Sequence, residues 1–415
     1  MSAEPKPFVE HVEMQGHIVD SLLLPKVLDA ILSRGGGYHI HEFVLGEKQD
    51  NPSRVRMEVQ AATSAQLEAI LAEIHPHGAI PTDSKDCLAT VADIAGAYPD
   101  GFYCSTNFRT QVRLHGEWVE VEDQEMDCGI AIDADGTSAR CVAMTGVALN
   151  DRIVVGRRGT RVFPPESESR RGNLFEFMAS PVSSERPKAV SVREVAAAMK
   201  RCRANGEKII AVLGPAVVHT GGAEHVAQLV RQGLIQVIFA GNALATHDIE
   251  QALYGTSLGV SLDHGLPTEE GHEHHLRTIN TIRREGSIAA AVQKGLLTSG
   301  IMYECVRKQV PYVLCGSIRD DGPLPEVITD VLAAQTEMRA HIPGSGFCLM
   351  VATTLHSIAV GNLLPAWVKV ACIDINPATV TKLMDRGSTQ TVGIVSDAEP
   401  FLRMLVAELG KVAAE

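Results

Sequence analysis

Hydrophobic and polar positions follow three successive rhythms along the chain. Near the start, Val12, Met14 and Ile18 alternate with Glu13, Gln15 and His17, the period of a half-buried strand. Leu24, Val27, Leu28, Ile31 and Leu32 then recur at helical spacing and stop at Gly35-Gly36-Gly37, which predicts a helix and its end. Tyr38–Leu45 and Val55–Gln60 read as a strand pair across Asp50-Asn51-Pro52. Thr63 and Gln66 stand at capping-box spacing ahead of Leu67, Ile70, Leu71 and Ile74, so a second helix opens there. With a last strand near Ala79-Ile80, residues 1–82 are expected to form a ferredoxin-like, ACT-type α+β domain.

Residues 83–187 are richer in turns. Val112–Leu114 and Trp118–Val121 flank His115-Gly116, while Ile153–Val155 and Thr160–Phe163 flank Arg157-Arg158-Gly159. Both pairs read as hairpins in a β-rich middle domain that ends in the proline-marked stretch from Pro164 to Pro187. From residue 188 to 415 the rhythm becomes strand–loop–helix. Lys208–Leu213, Ile235–Ala240, Pro311–Cys315, Phe347–Val351 and Val368–Ile373 are short β-rich runs separated by helical stretches. Such alternation predicts a parallel, doubly wound α/β sheet of the Rossmann kind.

Composition narrows the function classes. Among 415 residues, 37 are Lys or Arg and 50 are Asp or Glu, a net charge of −13. The acidic balance argues against a nucleic-acid partner or an anionic membrane surface. Nine cysteines without a CxxC pair argue for a reducing cytoplasm and against a disulfide scaffold or thiolate zinc site. The start lacks a signal peptide, and Pro25 interrupts Leu22-Leu23-Leu24 before any membrane helix can form, so a soluble protein is expected.

Ligands of such sheets bind outside the carboxyl ends of the strands, so the loops there carry the candidate chemistry. Gly214-Pro215-Ala216-Val217-Val218-His219-Thr220-Gly221-Gly222 lets backbone approach a phosphate, and reads equally as a tight strand–helix turn. Ala240-Gly241-Asn242-Ala243 repeats the pattern, and two glycine-bearing loops after adjacent strands point to a nucleotide cleft. Asp263 is either a ribose acceptor or a turn acid. In Gly316-Ser317-Ile318-Arg319-Asp320-Asp321-Gly322-Pro323, paired acids can hold an ammonium and Arg319 can grip a carboxylate; a capping turn is the bland reading. Asp374 and Asn376 suit ribose or amide contacts, though Asn376-Pro377 is also an ordinary helix cap. His356 is a candidate for acid–base work or a buried, satisfied histidine. The His272, His274 and His275 group matches no zinc spacing, and no metal is expected.

Taken together, VLGPAVVHTGG, FAGNALATHDIE, GIMYECV, GSIRDDGPLPEVITD, LHSIAVGN and DINPATVTKLMDRGS resemble the archaeal and cyanobacterial-type ornithine cyclodeaminase family, also described as the LOR/SDH bifunctional enzyme conserved domain. The resemblance covers essentially the whole chain. Cyanobacterial relatives carry a preceding arginine-degrading domain; this chain starts at the ferredoxin-like unit, so no arginine hydrolysis is expected. More remotely, the sheet domain looks like deoxyhypusine synthase, an NAD enzyme whose covalent lysine corresponds here to Leu355, ahead of His356. Alkyl transfer through an enzyme-bound imine is therefore not expected.

The resemblance implies an NAD+-dependent conversion of L-ornithine to L-proline and ammonia, by internal hydride transfer and a cyclic imine. It assigns Asp320 and Asp321 to the amines, Arg319 to the carboxylate and His356 to proton transfer. NAD contacts fall to Gly214, Thr220, Gly221, Gly241, Asn242, Ala243, Ser317, Asp374 and Asn376. The alternatives are a saccharopine- or opine-type NAD-dependent dehydrogenase and a non-catalytic regulator that binds NAD and an amino acid. A homo-oligomer is expected, paired through Met338–Phe347 or the ACT-like sheet edge. The choice between ornithine and its homologue lysine stays open, because one methylene is worth only about 1–3 kcal/mol in a pocket.

Overall fold

The computed structural model describes residues 8–16, 18–19, 22–46, 53–82, 85–163, 188–258, 260–261, 271–320, 322–386 and 391–411. Its contacts divide into two compact units, Met1–Glu176 with Leu364–Ala366, and Phe177–Leu363 with Trp367–Glu415. No helix among the described residues is long and apolar enough to cross a membrane.

The first unit contains two sheets. Strands β1 (Phe8–Gly16), β2 (Gly37–Val44), β3 (Ser53–Ala61) and β4 (Ile80–Pro81) pair antiparallel in the order β2-β3-β1-β4. Helices α1 (Leu23–Ser33) and α2 (Ser64–Ile74) complete a β-α-β-β-α-β chain. Val12, Met14, Val55, Met57 and Val59 alternate inward and join Val27, Ile31, Ile70 and Ile74 in one apolar cluster. The glycines after α1 terminate it physically. Gly36 N–H donates to Ile31 O at 3.0 Å and Gly35 N–H, at φ +72°, to Leu32 O at 2.9 Å, the two bonds of a Schellman turn. At α2, Thr63 Oγ1 accepts from Gln66 N–H at 3.1 Å, and Gln66 Oε1 reaches back to Ala62 N–H at 3.0 Å.

Seven further strands form the second sheet: β5 (Leu88–Val91), β6 (Arg109–Leu114), β7 (Glu117–Glu122), β8 (Gly129–Ile132), β9 (Ala139–Val142), β10 (Arg152–Val155) and β11 (Thr160–Phe163), in the order β11-β6-β7-β9-β8-β10-β5. The expected hairpin at His115-Gly116 is present, with both turn residues at positive φ. The second expected hairpin is not. β10 lies between β8 and β5, while β11 pairs with β6 at the opposite end of the order. Gly156 and Gly159, both at positive φ, turn the chain without pairing its flanks. Gly159 packs so closely on Cys87 that a Cβ would lie 2.3 Å from its nitrogen. Its carbonyl accepts from Arg113 N–H, and Arg113 O accepts from Cys87 N–H at 3.0 Å, so the ends of the sheet curl together. A turn signal marks a reversal; here distant burial chooses the partner.

The second unit is built on β12 (Lys208–Leu213), β13 (Val237–Gly241), β16 (Tyr312–Cys315), β17 (Val327–Ile328), β18 (Ser345–Val351), β19 (Lys369–Asp374) and β20 (Thr391–Val395), all parallel, in the order β17-β16-β13-β12-β18-β19-β20. A separate small hairpin joins β14 (Thr256–Ser257) to β15 (Val260–Ser261). β17 and β20 were not foreseen from the pattern. Among the described residues, eleven helices accompany the sheet: α3 (Lys188–Ala204), α4 (Ala216–His219), α5 (Ala223–Arg231), α6 (Asn242–Tyr254), α7 (Gly271–Glu285), α8 (Ile288–Gln293), α9 (Ile301–Lys308), α10 (Val331–His341), α11 (Thr354–Leu363), α12 (Pro377–Arg386) and α13 (Ala398–Leu409). Ile209 to Leu213 and Cys348 to Val351 are wholly buried, as a sheet covered on both faces requires.

Candidate active site

The strand order reverses at β12. From there the chain adds β13, β16 and β17 on one side and β18, β19 and β20 on the other. Connections that leave in opposite directions open a crevice at the carboxyl ends of β12 and β18. Gly214 ends β12 there, and its N–H donates to Val351 O at 2.9 Å. A Cβ on Gly214 would lie 1.8 Å from Ala352 O, so only glycine permits this approach. The requirement comes from proximity rather than from φ.

One strand over, Gly241 ends β13. A Cβ there would come within 3.0 Å of His356 Cε1. His356 lies in the first turn of α11, which packs across β12 and β13, so it reaches the Gly241 mouth from the far side of the switch point. Burial lowers the His356 pKa and leaves the ring a neutral proton acceptor at neutral pH.

Asn242 opens α6 and is buried. Its Nδ2 donates to Asp320 Oδ1 at 3.1 Å, while its Oδ1 accepts from Leu324 N–H at 3.1 Å and from the Thr246 hydroxyl at 3.3 Å. Asp320 Oδ2 accepts from Ser317 N–H at 2.7 Å. The half-buried carboxylate is thus fixed between the loops after β13 and β16, with lone pairs left for a cationic ligand. Gly241, Asn242, Ser317, Asp320 and His356 therefore gather near Gly214. Ala243 follows in the first turn of α6, and Arg319 is exposed, its N–H donating to Ser317 Oγ at 3.3 Å.

The remaining sequence candidates are placed differently. α4 intervenes between Gly214 and Thr220-Gly221. The Thr220 hydroxyl donates to Ala216 O at 2.8 Å, and Gly221, at φ +86°, donates to Val218 O at 2.9 Å, so this pair reverses the chain at the end of α4. Asp374 ends β19, where its Oδ1 accepts from Asn376 N–H at 2.8 Å. Asn376 Oδ1 in turn accepts from Ala378 N–H at 3.0 Å and caps α12. Asp321 and Asp263 lie outside the described residues, as does the side chain of His272.

Inspection of sequence missed a buried network behind this mouth. His219 Nδ1 bonds to Ser257 Oγ at 2.6 Å, and its ring packs edge-on against His247 at 4.7 Å between centroids. His247 Nδ1 meets Glu250 Oε2 at 2.8 Å. Glu250 Oε1 accepts from the Thr256 hydroxyl at 2.9 Å, and that hydroxyl lies 2.8 Å from His274 Nδ1. His219 is pushed down to about 4, first by burial and then by His247, with Glu250 opposing. Asp248, also buried, caps α9 by accepting from Ile301 and Met302 N–H at 2.8 Å each. Burial pushes it up to about 6, against the pull of those two donors. The available signal was polarity with no solvent face: His247, Asp248 and Glu250 adjoin Leu244, Ala245 and Ile249 on one short helix.

Known protein families match residues 9–405. Residues 193–405 match the ArgZ-like arginine dihydrolase family, C-terminal Rossmann fold; residues 109–192 match the first region of that C-terminal part; residues 9–108 match the LOR/SDH bifunctional enzyme conserved region. The ornithine cyclodeaminase of Methanopyrus kandleri is 50% identical over 403 residues, 97% of this chain and 98% of that one. The crystal structure of apo ArgZ, an arginine dihydrolase from the ornithine–ammonia cycle in cyanobacteria, superposes with a TM-score of 0.82 at 38% identity, over 98% of this chain and 59% of that one. A ternary complex of AgrE with ornithine and NAD+ matches at a TM-score of 0.54 and 41% identity, over 99% of this chain and 59% of that one. The chain thus spans little more than half of those two longer proteins but nearly all of the archaeal one. By the near-complete match to the archaeal enzyme and the family models that tile it, this chain belongs to the ArgZ-like ornithine cyclodeaminase family.

Proposed function

We propose that the protein is an NAD+-dependent ornithine cyclodeaminase that converts L-ornithine to L-proline and ammonia. The observation that carries this reading is the half-identical, end-to-end relationship to archaeal ornithine cyclodeaminases. The crevice fits the cofactor, since Gly214 clears the strand end at the switch point where dinucleotides lie in this fold. NAD, when bound, supplies the hydride acceptor and returns the hydride within one turnover.

The chain's own groups then hold the substrate and move protons. Asp320, locked by Asn242 and Ser317, offers a carboxylate to a substrate ammonium. His356, kept neutral, takes an amine proton at a ring nitrogen, so that the amine becomes nucleophilic. Asn242 positions Asp320 rather than reacting. Arg319 and Asp321 are assigned to the same loop, with Arg319 for the carboxylate. We keep Gly214, Gly241, Asn242, Ala243 and Ser317 as cofactor contacts, together with Asp374 at the neighbouring strand end. Thr220, Gly221 and Asn376 serve their local turns and are proposed for NAD only through backbone groups. Nine free thiols, seven of them buried, support a cytoplasmic location. A place in proline biosynthesis follows from the proposed product, and a homo-oligomeric state is part of the same proposal.

The test is turnover of ornithine with substoichiometric NAD+. Proline and ammonia formed in equal amounts without net NADH are expected. NADH formed in step with product would replace this reading by the dehydrogenase; no turnover of any diamino acid would replace it by the regulator.

A further inference from the structure

A second cluster of imidazoles lies in the first unit. The four-stranded sheet buries one face under α1 and α2, which leaves the other face open. On the open face Glu58 occupies the middle strand. Register sets His11 of β1 directly opposite it on one side and His39 of β2 directly opposite on the other. Directly opposed pairs hold their Cβ atoms about 4.5–5.5 Å apart. A bulge between Ile40 and Glu42 inserts His41 into β2, and this extra residue turns its ring back over Glu58. His41 Nε2 stands 3.4 Å from Glu58 Oε2, and the His39 ring meets His41 edge-on at 4.9 Å.

Neighbouring charges on this face are already matched. Glu13 takes Arg54 at 2.9 Å and Arg56 at 2.7 Å, and Glu42 faces Arg56 at 3.6 Å. Glu58 instead meets imidazoles and the amide of Gln60 at 2.6 Å. One ligand atom each from His11, His41 and Glu58 lies within 4.8 Å of the others. Zinc–nitrogen bonds of about 2.0–2.1 Å put tetrahedral ligands roughly 3.3 Å apart, a spacing the His41–Glu58 pair already has.

We propose that His11, His41 and Glu58 bind a divalent transition-metal ion of zinc type on the open face of the first sheet. Two imidazoles and one carboxylate leave a fourth position for water, and His39 braces the His41 ring. The donor set selects against calcium and magnesium, which take oxygen ligands. Such a clamp ties β1 and β2 to β3. It stands whether or not the chain turns over ornithine.

The full-length protein, stripped with chelator and then titrated with Zn2+ by calorimetry, tests this. One Zn2+ per chain is expected, with Co2+ giving the intense visible band of a tetrahedral site. The H11A/H41A double variant should bind at least about tenfold more weakly, while H272A/H275A, in the other histidine-rich stretch, should bind as the parent does. Zn2+ should also raise the melting temperature of the parent and not that of H11A/H41A, which shows in the same trace that the variant is folded. Equal Zn2+ binding by the parent and H11A/H41A, or none by the parent at micromolar concentration, would overturn the proposal.

Discussion

The mouth of the parallel sheet and the network along α6 use similar side chains to opposite ends. At the mouth, Asn242 spends its amide fixing Asp320, whose carboxylate stays half-exposed. Along α6, Glu250 is fully buried and both its oxygens are occupied by protein donors, from His247, Thr256 and Leu258. A carboxylate with open lone pairs can receive substrate; one filled on every side can only hold the fold. The same contrast separates His356, which faces a glycine, from His219, whose Nδ1 is taken by Ser257. Residue type does not distinguish the two regions; the unfilled position does.

The largest effect is expected at Gly214. Its Cβ would lie 1.8 Å from a backbone oxygen, which no rotamer relieves. Gly214→Ala should therefore separate β12 from β18 and remove NAD+ binding, read by fluorescence titration alongside melting. Gly221→Ala meets open space and only an unfavourable φ, at about 1–2 kcal/mol, and should keep NAD+ affinity. Equal behaviour of the two variants would erase the distinction between crevice glycine and turn glycine. Next comes Asp320→Asn, which keeps one of the two accepted loop bonds and lacks the charge. A loss of roughly 10²–10³ in kcat is expected with melting lowered only slightly, as for a charged group that orients a reacting amine. Glu250→Ala should do the reverse. It strands His247 Nδ1 and the Leu258 N–H, while Thr256 keeps His274, at about 1–3 kcal/mol for each buried unmet group, so melting falls while the folded fraction still turns over. Full stability with no turnover in Glu250→Ala would move α6 from scaffold into the chemistry.

Periodicity carried the architecture because sheet faces demand it. The runs at Lys208–Leu213 and Phe347–Val351 are continuous and apolar, and both lie in the middle of the parallel sheet. The β17 strand was illegible because it spans only Val327–Ile328, and β20 because Gly393 interrupts it. The hairpin misassigned at Ile153–Phe163 failed for another reason: local sequence encodes a turn, while strand partners are set by burial at a distance. For the proposed site, strand-end loops supplied the candidates Gly214, Asn242, Asp320 and His356, which the structure places at neighbouring strand ends. The fusion of His219, His247, Glu250, Thr256 and His274 into one network stayed hidden, because those residues come from four segments and no spacing rule joins them.

The smallest effect on turnover is expected from a histidine that serves neither region. His75 is buried in the first unit, where its Nε2 stands 3.4 Å from the Tyr103 hydroxyl and 3.3 Å from the Thr160 hydroxyl. Burial, aided by Arg157, lowers it to about 4 from an unfolded value of 6.5. Above pH 6.5 both states are neutral and the group contributes no pH dependence. Between 6.5 and 4 the unfolded chain takes up a proton that the folded chain refuses, so stability falls as acid is added; below 4 both states are charged and the loss levels off. The whole step is worth about 3 kcal/mol. Urea midpoints measured across this window should drop for the parent, and His75→Gln, which keeps a polar group toward Tyr103 and Thr160, should flatten that part of the slope. His219 titrates over the same range but is only partly buried, and water screens its share. An unaltered slope in His75→Gln would shift the acid sensitivity to His219, and with it from the β-rich unit to the network along α6.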